Sequence, residues 1–100
     1  MLRRVETIQD RTKELMNRAE DAVLTLIAAV KRAQESGASS EQLTKAREFH
    51  RKAQWRLDFV AAENSMGFHA SQETARILGD AIDYAMQGYV AISSQTVASQ

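Results

Sequence analysis

The side chains best equipped for chemistry in this chain are its two histidines, His50 and His69. His69 stands in ENSMGFHASQE, residues 63–73, where a glycine and polar residues interrupt a helix-rich sequence. A neutral imidazole in such a connection can ligate a metal or a haem iron, with the neighbouring Phe68 lying against a porphyrin edge. The same residue can equally cap or decorate a turn, and spacing alone leaves both readings open. His50 falls between Ala46 and Ala53 on an apolar stripe. That position suits a buried, hydrogen-bonded structural histidine better than a ligand.

Other constellations are weaker. His-x-x-x-His and Glu-x-x-His are both missing, so the usual one-turn ligand pairs of a helix cannot form. His69 and Glu73 are four apart, but one such pair arises readily by chance. The stretch TKAREFHRKAQWRLD carries Lys45, Arg47, Arg51, Lys52 and Arg56 with Phe49 and Trp55 between them, a pattern some nucleic-acid binders share. Glu41–Lys45 and Glu48–Lys52 are ordinary one-turn pairs, however, and a solvated helix face explains the run. Arg56 beside Trp55 suits an ion pair at a packed interface. No Ser-His-Asp order, phosphate-binding glycine loop or paired-carboxylate motif can be assembled, and Asp80 and Asp83 are expected to face solvent. Catalysis by this chain alone is not expected.

The elements that must position these residues are helices. Proline is absent, glycine occurs four times, and Ala, Glu, Gln, Arg, Lys, Leu and Met abound. Such side chains lose little freedom in a helix. Val5, Ile8, Thr12, Leu15, Ala19, Ala22, Leu26, Ala29 and Ala33 repeat at alternating spacings of three and four, a heptad stripe. Glu14–Arg18 and Lys31–Glu35 can pair on the opposite face. A helix over residues 3–36 would run about 50 Å. That exceeds what a compact domain of this size needs, so part of the stripe is expected to meet another chain or domain. Gly37 suits a left-handed cap, and Ser39 with Gln42 resembles a capping box.

A second helix is expected over 40–65, with a seam of Leu43, Ala46, His50, Ala53, Leu57, Val60 and Asn64. Phe49, Trp55, Phe59 and Ala62 form a further line, which predicts cover on more than one side. Ser71 is the expected cap of a third helix over 71–93, with a seam of Ala75, Leu78, Ile82, Ala85, Tyr89 and Ile92, and a loose tail over 94–100. Gly79 and Gly88 each cost about 1 kcal/mol in a helix interior, which implies close packing or fraying. The fold class is therefore all-α. The three helices are a long first, an antiparallel second and a third after a short His-containing turn, forming a dimeric helical bundle in one domain of 100 residues.

Composition narrows the function. Lys plus Arg and Asp plus Glu are both 13, which gives no general attraction to nucleic acid or anionic membrane. The uncharged run Ala22–Val30 is too short to span a bilayer, and no signal peptide opens the sequence. With no cysteine, neither a disulfide nor covalent haem attachment through Cys-x-x-Cys-His can involve this chain.

HRKAQWRLDFVAAENSMGFHASQETARILGDAIDYA, residues 50–85, adds a different kind of information. Its order of Ala53-Gln54-Trp55-Arg56-x-Asp58, a break, His69-Ala70, Glu73 and Leu78-Gly79 resembles ammonia-forming cytochrome c nitrite reductase, the pentahaem cytochrome c-552 family. The likeness covers about a third of the chain and is looser in the first helix. It implies a C-terminal helical segment of such an enzyme, which reduces nitrite to ammonia. It also implies that His69 is the distal iron ligand of a bis-histidine electron-transfer haem. Where the family commonly has proline two positions after this histidine, Ser71 stands here, and both suit a helix start.

In the family, haem c is attached upstream, where the catalytic lysine-ligated haem, the calcium site and the substrate-binding residues also lie. The resemblance further implies a periplasmic location, a haem-bearing N-terminal region and a membrane quinol-oxidising cytochrome as partners. A homodimer through the long helices follows too, using Val5, Ile8, Leu15, Ala19, Ala22, Leu26 and Ala29. The rival reading is an autonomous or redesigned helical oligomerisation protein without a redox role. A third is non-covalent haem binding through His69, with His50 or a second chain's histidine.

Overall fold

A computed structural model gives three helices: α1 (Leu2–Glu35), α2 (Ser40–Ser65) and α3 (Gln72–Ala98). The structure describes the backbone of residues 2–65 and 72–98 and the side chains of 11–63 and 72–93. Ser71, the expected cap of α3, lies outside the described residues, as do the side chains of Val5, Ile8 and Asn64. α3 continues to Ala98, beyond the end expected near residue 93.

The turn between α1 and α2 is built from local chemistry. Gly37 takes φ 87°, a conformation that costs any residue with a Cβ. That lets Ala38 N–H donate to the Ala33 carbonyl at 2.9 Å and Gly37 N–H to Gln34 at 3.3 Å, which closes two of the orphan carbonyls of α1. Ser39 Oγ then accepts from Gln42 N–H at 3.2 Å and starts α2. The Gln42 side chain crosses to α3, where its Nε2 lies 3.5 Å from the Ala91 carbonyl and 3.4 Å from that of Ile92.

The helices run up, down and up, with α2 and α3 in the most extensive contact. Ala19, Val23, Leu26, Ala53, Leu57, Val60, Leu78, Ala81 and Ala85 form the main core. Ala29, Ala46 and Ile92 continue it toward the α1–α2 turn, where Ala38 and Leu43 pack. Many of these residues are alanine, which lets backbones approach closely but buries little area per residue. The greatest closeness is at Gly88. A Cβ there would lie 2.9 and 3.1 Å from the two Leu26 methyl carbons and 3.1 Å from Phe49 Cβ.

That approach rotates α3 relative to the expected seam. Leu78, Ala81, Ala85, Gly88 and Ile92 face inward, whereas Ala75 is exposed and Tyr89 remains 40% exposed. Small residues, not the aromatic, occupy the line of contact because a tyrosine ring would hold the helices apart. Of the four expected ion pairs along the helices, Glu14–Arg18 forms, at 3.2 Å, and is well exposed. The other three are not made among the described residues.

The two helical glycines should respond oppositely to alanine. Gly79 has nothing within 4 Å of an added Cβ. Gly79→Ala should raise stability by about 1 kcal/mol through helix propensity. Gly88→Ala gains the same propensity but overpacks a site where Leu26 is fully buried and Phe49 Cβ moves only with its backbone. Overpacking costs about 1–3 kcal/mol, so the net change should be destabilising. Urea unfolding of both variants measures the difference.

Candidate functional site

The two histidines have different fates. His69 lies in the α2–α3 connection, outside the described residues. His50 sits on the flank of the inward face of α2 and is half-buried. Its Nε2 is sealed from solvent and has no hydrogen-bond partner among the described residues. This departs from the hydrogen-bonded histidine expected from its seam position.

The described residues do not fit a haem. His50 is the one histidine among them, and its shielded Nε2 cannot reach an incoming iron. No cysteine exists to anchor a porphyrin covalently. Among the described residues no group of three or more His, Asp or Glu side chains can hold a metal ion. No described helix is long and apolar enough to cross a membrane.

The proposed interface stripe on α1 is largely used within the chain. Ala19 and Leu26 are fully buried, Ala29 nearly so, and Leu15 and Ala22 pack against the core while half-exposed. Among the described residues, the large apolar side chains that α1 leaves in solvent are Leu24 and Ile27, and those of α3 are Met86, Tyr89 and Val90. An open groove of about 550 Å³ lies at the α1–α2 turn, lined by Arg32, Gln42, Tyr89 and Ser93 among others. It occupies the end of the bundle away from the α2–α3 connection.

The outer side of α2 is chemically distinctive. Trp55, 61% exposed, stacks on Phe59 with centroids 5.5 Å apart. Arg56 lies over the Tyr84 ring of α3 at 4.5 Å and beside Trp55 at 5.8 Å, while its Nη1 donates to the Lys52 carbonyl at 2.9 Å. Lys52 is poised over Phe49 at 5.7 Å and Tyr84 at 5.5 Å. The sequence singled out Trp55 and Arg56 but not Tyr84, which comes from another helix. No carboxylate among the described residues lies within ion-pair distance of Lys52 or Arg56.

Comparison with known proteins decides the family. The family model described as cytochrome c552 matches residues 1–100. The chain belongs to the cytochrome c552 family. It is 39% identical over 83 residues to a cytochrome c-552 of Parabacteroides distasonis, covering 83% of this chain and 17% of that protein. Against a cytochrome c-552 of Bacteroides fragilis it is 39% identical over 85 residues, again 17% of that protein. A Haemophilus influenzae cytochrome c-552 is 35% identical over 71 residues, covering 71% of this chain and 13% of the relative. The chain thus spans less than a fifth of the curated relatives it matches. No solved structure matches it significantly.

The unpartnered Nε2 makes His50 a stability liability. An unsatisfied buried polar atom costs about 1–3 kcal/mol, a penalty an apolar side chain of similar size avoids. His50→Leu should therefore leave stability unchanged or raise it by about 1 kcal/mol in urea unfolding at neutral pH. A fall of several kcal/mol would mean that the imidazole makes a hidden bond.

Proposed function

We propose that this cytochrome c552 chain is the C-terminal helical segment of a multihaem cytochrome c nitrite reductase that converts nitrite to ammonia in the periplasm. The observation that carries the reading is the family match over residues 1–100, joined to relatives of which the chain forms less than a fifth. The segment contributes structure and one ligand, while the cysteines that fix haem c belong to the rest of the polypeptide. His69, in the connection between α2 and α3, is the distal ligand of one electron-transfer haem. Its place in a short link between two helices suits that role, because helices packed on each side fix the ends of the link.

The segment also contributes to a homodimer. Since Ala19, Leu26 and Ala29 are buried within the chain, the large apolar side chains that the described part of α1 leaves for a partner are Leu24 and Ile27. A membrane quinol-oxidising cytochrome supplies the electrons in this reading. Membership of the cytochrome family weighs against an autonomous oligomerisation protein without a redox role.

His69→Ala in the full-length haem-loaded protein tests the assignment. One low-spin bis-histidine haem should become high-spin and five-coordinate by electron paramagnetic resonance, with total haem content unchanged. An unaltered spectrum would remove His69 as a ligand. The 100-residue chain by itself should show no nitrite reduction with a viologen donor, and turnover by it would refute the non-catalytic role.

A further inference from the structure

We infer that the outer face of α2, centred on Trp55, Arg56 and Phe59, docks onto the haem-bearing part of the same polypeptide, with a carboxylate of that part seated between Lys52 and Arg56. This rests on the reading of the chain as a segment of a longer cytochrome, and it adds which surface meets the remainder. The curated relatives are several times longer than this chain, so a large body of polypeptide has to pack against it somewhere.

Trp55 points away from the core formed by Ala53, Leu57 and Val60, and the stacked Trp55–Phe59 pair stays exposed on the surface of the bundle. Rigid aromatics of this kind contribute large contact area at low entropic cost, which is why they anchor interfaces. The cations beside them are already held in place. Arg56 is fixed by Tyr84 and by the Lys52 carbonyl, and Lys52 by Phe49 and Tyr84. Glu48, one turn before Lys52, does not pair with it, and Asp58 instead accepts from Gln54 Nε2 at 3.1 Å. Two positive charges thus share one Tyr84 ring with no negative charge paired to either among the described residues. A carboxylate arriving with apolar surroundings would relieve their mutual repulsion and gain strength from water exclusion.

Charge also argues against a second copy as the occupant. A two-fold interface centred on this patch would bring Lys52 and Arg56 close to the same pair from its mate. The aliphatic residues Leu24, Ile27, Met86 and Val90 carry no such penalty.

The test uses full-length haem-loaded protein made as a mixture of light and heavy isotope forms, with Trp55→p-benzoylphenylalanine as photo-crosslinker. The expected product joins this position to a peptide outside residues 1–100 with both halves of the same isotope form. Lys52→Gln together with Arg56→Gln should lower that yield several-fold while the haem spectrum is unchanged. Products of mixed isotope form would assign the face to a second copy and overturn the proposal. Normal haem loading with no crosslink to the rest of the polypeptide would overturn it too, while leaving the family reading intact. Absence of the Soret band from the unsubstituted full-length protein would instead sink the cytochrome reading, and the proposal with it.

Discussion

Where α3 passes between Leu26 of α1 and Phe49 of α2, the helices come so close that the position opposite them carries no side chain. Gly88 is the residue that allows it. The cost of glycine within a helix is offset there by the contact it permits: Leu26 is fully buried and the three backbones share one line of approach. Alanines at 46, 53, 81 and 85 extend that line in both directions. The inward face of each helix follows from it, and so does the set of residues left outside.

A consequence is that the described part of the α1 heptad stripe, from Leu15 to Ala33, packs within the chain. A stripe of that regularity would serve a coiled coil between chains equally well, since the spacing that buries a face does not specify the partner. Here α2 and α3 supply the partner surface for Ala19, Val23, Leu26 and Ala29. Among the described residues, the large apolar side chains left exposed are Leu24 and Ile27 on α1, Trp55 and Phe59 on α2, and Met86, Tyr89 and Val90 on α3. For a free-standing bundle that exposure would be a liability. Under the proposed function it is the surface left for the rest of the polypeptide.

The polar groups follow the same logic. Lys52 sits over two rings contributed by two helices and not on Glu48, because the rings are fixed by packing while Glu48 keeps its freedom in solvent. Exposed one-turn ion pairs are worth little, and a positioned aromatic face can outweigh them. The shielded Nε2 of His50 marks the opposite flank, where packing has excluded water without supplying a substitute.

Much of the architecture was legible in the order of residues. The absence of proline, the glycine at 37 and Ser39 with Gln42 fix three helices and the turn between the first two through chemistry that acts over a few neighbours. The motif from His50 to Ala85 likewise pointed to the family, because such likeness resides in the residues themselves. The rotation of α3 onto Gly88 and away from Tyr89, the burial of the α1 stripe and the meeting of Arg56 with Tyr84 depended on tertiary structure. Periodicity reports that a helix has an apolar side. Which of several adjacent lines is buried depends on how closely another backbone can approach, and that distance exists only once the helices have packed.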